Sequence, residues 1–192
     1  MIENIQILST EILSDRWSIL KDINYQYQKD GSSPQTQSRV VYDRGDGAAI
    51  LLYSRSRNTV ILTRQFRLPT YINGNASGML LEVCAGMLDN DNPETCIRRE
   101  TEEETGYRLK GVKKAFETYM SPGSMTEILH CFVAEYDLSM KVSAGGGLKE
   151  EEENIEVLEM DVEEVMELLV AGEIRDAKTI MLLQYARLNQ LI

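Results

Sequence analysis

Apolar side chains hold the odd positions Trp17, Ile19, Ile23, Tyr25 and Tyr27, a run broken only by Lys21. That period of two predicts a half-buried strand. Asp30-Gly31 and Ser33-Pro34 then supply turn chemistry, and residues 39–42 form the next strand-like stretch. A strand pair is marginal by itself and needs another surface to cover it. Residues 1–44 are therefore expected to form a small N-terminal β arm, packed on the main domain or on a second subunit.

From Gly45 onward the pattern is that of a mixed α/β domain, spanning 45–192. Strands are expected at 47–53 and 59–66, joined by the polar turn 54–58, and again at 79–84. A helix at 93–105 follows, then strands near 112–120 and 127–136. The glycine-rich stretch 143–147 reads as flexible, and it precedes a strand at 155–160 and helices near 161–170 and 176–191. Ile180, Leu183, Leu188 and Leu191 lie near helical spacing, so the last helix is expected to face the core through them. No internal repeat is visible.

Composition narrows the function classes. The 192 residues are 43% hydrophobic and 27% charged, with a formal net charge of −11. Such an acidic surface disfavours a nucleic-acid partner, although a local arginine cluster and a bound cation can reverse the field within one pocket. No apolar run approaches the ~18 residues needed to span a bilayer. The opening Met1-Ile2-Glu3-Asn4 lacks the basic-then-apolar layout of a signal peptide, so a cytoplasmic protein is expected. Cys84, Cys96 and Cys131 are odd in number and unpaired in spacing, which predicts buried free thiols rather than disulfides or zinc.

The chemistry concentrates between Gly86 and Tyr107. Asn92 suits a helix N-cap, Pro93 the first helical position and Gly106 the stop. On the intervening helix Glu100, Glu103 and Glu104 are spaced i, i+3, i+4, so their carboxylates share one face and repel. Arg98 and Arg99 offset only part of that repulsion. A hard divalent cation would offset the rest, because Mg²⁺ prefers oxygen ligands and bridges carboxylates to phosphates. A glutamate-rich helix is usually only a solvated face. Here the acids sit inside a longer pattern of a Gly-led loop, an Arg-Glu pair and a closing Gly-aromatic pair.

The stretch Arg99-Glu100-Thr101-Glu102-Glu103-Glu104-Thr105-Gly106-Tyr107 resembles the second half of the Nudix box, and Gly86 resembles its opening glycine. The interval from Gly86 to Arg99 is one residue shorter than usual. The box's first acid falls on Asn92 when counted from Gly86 and on Asp91 when counted back from Arg99. Arg64-Gln65-Phe66-Arg67, Ser121-Pro122-Gly123 with Thr126-Glu127, Glu153-Asn154-Ile155-Glu156-Val157 and the stretch 172–179 resemble the ADP-ribose-pyrophosphatase branch of that family. Ile12-Leu13-Ser14-Asp15, Val41-Tyr42-Asp43-Arg44-Gly45, Cys84-Ala85-Gly86 and Ala144-Gly145-Gly146-Gly147 resemble the members that act on GDP-mannose.

The resemblance implies a Nudix α/β/α sandwich with a mixed sheet and an N-terminal antiparallel β arm, in a homodimer whose arms serve dimerisation and substrate contact. It implies Mg²⁺, with Mn²⁺ able to substitute, and hydrolysis of GDP-mannose to GMP and mannose 1-phosphate. ADP-ribose or another nucleotide sugar is the next substrate, favoured by Pro122 lying fifteen residues past Tyr107. A catalytically silent, nucleotide-sensing module is the alternative of another class, disfavoured because the three glutamates are intact.

Carried over residue by residue, the resemblance implies a metal held by Glu100, Glu103, Glu104, Glu153 and the Ala85 carbonyl. Glu153 would be the base, with Glu103 and Glu104 sharing catalytic duty, and Glu152 an alternative base within the run from Glu150. Substrate contacts would come from Arg67, Ala85, Gly86, Met87, Glu104, Glu127, Glu152, Glu153 and Lys178. In the arm, Trp17 would stack on the base and Arg39 would contact the ligand across a dimer interface. Arg99 is expected to pair with a neighbouring glutamate and hold its rotamer, and His130 to be structural.

Overall fold

A computed structural model of the chain describes residues 1–148, 150 and 153–192. It divides into two compact units, Met1–Asp46 with Tyr119–Ile128, and Gly47–Thr118 with Leu129–Ile192.

The first unit is built on an antiparallel meander of β1 (Ile2–Asp15), β2 (Ile19–Lys29) and β3 (Gln35–Asp43), with β2 central. The sequence pattern shows two of these strands and misses β1. The reason lies in its register against β2, which shifts between Glu3 and Gln6, Ile7 and Ser9, and Ile12 and Ser14. Each slip moves the following side chains to the other face, so no period of two survives. The expected alternation along β2 is absent too, since nearly every residue of it is half-buried between its neighbours. Residues 119–128 join this unit. Tyr42 N–H donates to Ser124 O at 2.7 Å, and Ile128 N–H donates to the Asp46 carboxylate at 2.8 Å.

The second unit contains β4 (Gly47–Ser54), β5 (Thr59–Phe66), α1 (Leu68–Ile72), β6 (Met79–Glu82), β7 (Cys84–Met87) and α2 (Pro93–Thr105). Then come β8 (Lys113–Tyr119), β9 (Ile128–Glu135), β10 (Glu156–Asp161), α3 (Val162–Val170) and α4 (Ala177–Leu188). The sheet runs β10-β5-β4-β9-β8, with β4 and β9 parallel and β5 antiparallel to both β4 and β10. All eight residues of β4 are buried. A strand apolar on both faces needs a layer on each, and α2 and α4 both pack against β4. Ala48, Ile50 and Leu52 share one core cluster with Cys96 and Ile97 of α2, as the period of two requires. This is the expected α/β/α sandwich.

Two expectations about the last helix are corrected. Its buried residues are Thr179, Leu182, Leu183 and Ala186, a clean i, i+3, i+4, i+7 stripe. Leu188 is 83% exposed, and Leu191 is buried only after the helix has ended. The stripe includes a threonine, which a search for apolar spacing passes over. The three cysteines are free and buried. Among the described residues, no helix is long and apolar enough to cross a membrane.

Candidate active site

The site begins with a fork in the sheet. β9 takes one edge of β4 along its length, so β5 and β7 share the other edge. Leu52–Ser54 pairs with β5, whereas Gly47–Ile50 pairs with β7. The single strand expected at 79–84 is therefore two strands, β6 on β5 and β7 on β4, changing partner at Val83. The Val83 N–H belongs to neither ladder and donates instead to Thr179 Oγ1 at 2.8 Å.

Beyond the fork, β7 lies against α2. Ala85 N–H donates to Glu104 Oε2 at 3.3 Å. The N–H and C=O of a strand residue leave by the same edge, so the Ala85 carbonyl faces the same side. A Cβ on Gly86 would fall inside the Glu100 carboxyl group, so only glycine permits this approach. The Cys96 thiol closes the contact by donating to Met87 O at 3.1 Å.

The helix itself follows its local signals. Asn92 Oδ1 accepts the Thr95 N–H at 3.0 Å, Pro93 opens the first turn, and Gly106, at φ 79°, ends it. Arg99 Nη1 lies 3.0 Å from both Glu100 Oε1 and Glu103 Oε2, as its expected pairing requires. Its Nε lies 3.6 Å from Asp91 Oδ2, which brings the acid counted back from Arg99 to the helix.

Glu104 stands apart from its neighbours, being only 2% exposed. Burial pushes its carboxyl up to about 8; a hydrogen bond with the Cys84 thiol is the main opposing effect, the charges of Glu100 and Glu153 add to the rise, and the Ala85 N–H lowers it least. A carboxyl so placed is protonated at neutral pH unless a cation joins it. Among the described residues, no three His, Cys, Asp or Glu side chains are already drawn together as a metal cage. The donor set nevertheless fits a hard cation: three oxygen acids with Glu104 desolvated among them, and a backbone carbonyl alongside.

The stretch 143–147, expected to be flexible, is fastened to the end of α2. Gly146 N–H donates to Glu104 O at 2.8 Å, Gly147 N–H to Glu103 O at 3.1 Å and Val142 N–H to Gly106 O at 2.8 Å. These are carbonyls that a helix C-terminus leaves unpaired. A Cβ on Gly145 would meet the backbone of Glu104 through Gly106, so this glycine serves close approach as well as its positive φ of 70°. Glu153 Oε2 accepts the Leu148 N–H, one residue past this loop, at 3.0 Å. Glu152, the alternative base, and Glu151 lie outside the described residues, and Glu150 is exposed.

Arg67 and Lys178 meet at Glu82. Arg67 Nε lies 2.8 Å from Glu82 Oε2, and Lys178 Nζ lies 2.6 Å from Glu82 Oε1 and 2.9 Å from Asp176 Oδ1. Lys178 is almost enclosed; its burial opposes protonation, but the two carboxylates prevail and hold its amine above the ordinary value. In the first unit, Trp17 is 74% exposed, with the Arg44 guanidinium 5.7 Å from its ring centroid. Arg44 Nε is in turn 3.8 Å from Glu127 Oε1. Arg39 is exposed on β3, and His130 lies half-buried on β9. Sequence reasoning passed over Arg44 and Thr179, because each acts through a partner distant along the chain.

Comparison with known proteins gives a consistent picture. A family model described as the NUDIX domain matches residues 43–183, and one described as the GDP-mannose pyrophosphatase NudK N-terminal domain matches residues 4–42. The chain is similar to a GDP-mannose pyrophosphatase of Pectobacterium atrosepticum, at 54% identity over 97% of this chain and 95% of that protein. Proteins of the same description from Citrobacter koseri and Escherichia coli O157:H7 are 50% and 49% identical over 100% of both chains. A solved structure described as an ADP compounds hydrolase matches with a TM-score of 0.73 at 18% identity, over 98% of this chain and 95% of that one.

Proposed function

The chain belongs to the Nudix family, and from that premise we propose that it hydrolyses GDP-mannose at its diphosphate, giving GMP and mannose 1-phosphate with Mg²⁺ as the metal. The observation that carries the reading is Glu104, a carboxyl buried beside Glu100 and Glu153 where a cation would favour its ionised form at neutral pH. Nudix hydrolases use divalent metal ions. The ligands assigned here are the Ala85 carbonyl, Glu100, Glu104 and Glu153, with Glu103 assisting. Bound there, the cation neutralises diphosphate charge and lowers the barrier to attack on phosphorus.

The chain's own groups do the rest. Glu153 takes the proton of the attacking water, and its bond from the Leu148 N–H limits its rotation. Arg99 holds the Glu100 and Glu103 rotamers. Arg67 offers a guanidinium to phosphate oxygens, while Lys178 sets the charge beside Glu82. Trp17 stacks on guanine, steadied by Arg44, and Arg39 and Glu127 contact the nucleotide sugar.

Gly86→Ala provides an internal check. Because Gly86 does not occupy the left-handed region, alanine leaves the strand intact, and the nearest atoms its methyl displaces belong to the flexible end of the Glu100 side chain. The expected result is a folded protein whose kcat is reduced about a hundredfold, the scale of an ångström of misplacement at a reacting centre. An unchanged kcat would remove Glu100 from the metal.

We assign the protein to the cytoplasm as a homodimer. Ile2, Ile5, Ile7, Leu8, Ile12 and Leu13 of β1 are all exposed, and β1 is an edge strand, which a second subunit would cover. Sedimentation equilibrium showing a monomer at micromolar concentration would refute the dimer. The substrate is tested by supplying GDP-mannose, ADP-ribose and other nucleotide sugars with Mg²⁺, with and without EDTA, and identifying products by ³¹P NMR. GDP-mannose is expected to show the highest kcat/KM, abolished by EDTA. Faster turnover of ADP-ribose, the rival favoured by the Pro122 spacing, would overturn the assignment.

A further inference from the structure

The fork at Val83 is closed by a ring of buried polar contacts. Val83 N–H donates to Thr179 Oγ1 at 2.8 Å, and the Thr179 hydroxyl donates to Asp176 Oδ2 at 2.5 Å. Lys178 Nζ bridges Asp176 Oδ1 at 2.9 Å to Glu82 Oε1 at 2.6 Å, and Glu82 is peptide-bonded to Val83. Thr179 is fully buried and Glu82 nearly so. The same Asp176 side chain caps α4 through the Thr179 N–H at 3.0 Å. The ring thus ties the first turn of α4 to the point where the chain changes strand partner, two residues before Ala85.

A buried N–H at a strand fork has no ladder partner and must find another acceptor. A serine or threonine on the packed face of α4 supplies one; a purely apolar residue of the same shape would not. Turning the Val83 peptide would carry through Cys84 to Ala85, whose N–H and carbonyl face Glu104. We propose that Thr179 is a positioning residue, setting through Val83 the orientation of the Ala85 carbonyl toward the cation held by Glu100 and Glu104. The inference rests on the metal assignment given above and adds to it a residue that touches neither metal nor substrate.

The experiment compares the full-length wild type with Thr179→Val and Thr179→Ser. Thr179→Val keeps the shape and loses the hydroxyl, whereas Thr179→Ser keeps the hydroxyl. Three quantities are measured: hydrogen exchange at the Val83 amide in metal-free protein, Mn²⁺ affinity by electron paramagnetic resonance, and kcat and KM for GDP-mannose. In Thr179→Val, Val83 should exchange much faster, Mn²⁺ affinity should fall about tenfold or more, as outer partners of metal ligands typically cost, and kcat should fall with KM little changed. Thr179→Ser should restore all three toward wild type.

Faster Val83 exchange with unchanged Mn²⁺ affinity and kcat would overturn the proposal, leaving the ring a purely structural tie. Absence of Mn²⁺ binding in the wild type would instead overturn the metal assignment, and the positioning role with it. If Thr179→Val fails to fold, Asp176→Asn, which weakens the acceptor of the Thr179 hydroxyl, is read by the same three measurements and against the same outcomes.

Discussion

Glu104→Gln should all but abolish hydrolysis and, at the same time, make the metal-free protein more stable. The side chain is 2% exposed and receives one long backbone hydrogen bond, from Ala85 at 3.3 Å. Its charge is thus poorly compensated, and glutamine keeps the shape while removing that charge. Loss of a ligand that organises charge neutralisation should cost several kcal/mol of barrier, about a thousandfold in rate at ~1.4 kcal/mol per decade. The stability effect has a definite pH signature. With its carboxyl raised from the ordinary 4.5 to about 8, chiefly by burial, Glu104 binds its proton more tightly in the folded state than in the unfolded one. Its contribution to the fold is therefore undiminished below 4.5, declines as pH climbs through that window, and is fully lost above about 8. The advantage of glutamine should grow over the same window by about 1.4 kcal/mol per pH unit, several kcal/mol in all by alkaline buffer. Melting curves in EDTA across pH 5 to 9, repeated with Mg²⁺, would show both effects. Mg²⁺ should raise the melting temperature of the wild type far more than that of the variant. A wild-type rate in the variant, or a stability difference independent of pH, would defeat the assignment.

Lys178→Met should produce the largest loss of stability. Lys178 is the cation between Glu82, which is 3% exposed, and Asp176, and the surrounding side chains screen it from water. Methionine matches its length but leaves the buried Glu82 and the half-buried Asp176 without their shared cation, with Arg67 the remaining cation on Glu82. Breaking a buried pair by removing one partner costs about 3–5 kcal/mol. At ~2–4 °C per kcal/mol for a chain of this size, the melting temperature should fall by about 10 °C. Adding Glu82→Gln to Lys178→Met should cost less than the sum of the two single changes, because each removes the same interaction. Urea denaturation of the four proteins would measure the coupling. A loss below about 1 kcal/mol for Lys178→Met, the value of a surface ion pair, would show that the network is solvated.

Local signals proved sufficient wherever the structure depends on neighbours in the chain. The helix carrying Glu100, Glu103 and Glu104 spans Pro93–Thr105 as expected, since Asn92, Pro93 and Gly106 act within a turn of their own positions. The apolar run from Gly47 to Tyr53 likewise announced a strand, and β4 occupies Gly47–Ser54. Expectations failed where a partner decides. The register shifts of β1 erased its alternation. The change of partner at Val83 split one expected strand into two, because an extended backbone reads alike on either ladder. The glycines at 145–147 suggested mobility, but they seat a loop on the end of a helix, a distinction that turns on what lies opposite them.

By itself, then, the chain of amino acids determined that three carboxylates crowd one helical face and that the helix stops just beyond them, since spacing and caps act over a few residues. Tertiary structure alone decided that Glu104 is desolvated, that Gly86 lies against Glu100, and that Thr179 receives the Val83 amide. The Ala85–Glu104 contact joins positions 19 apart and the Val83–Thr179 contact positions 96 apart. Contacts of that range exist only once the sheet and its two helical layers have closed and excluded water from between them.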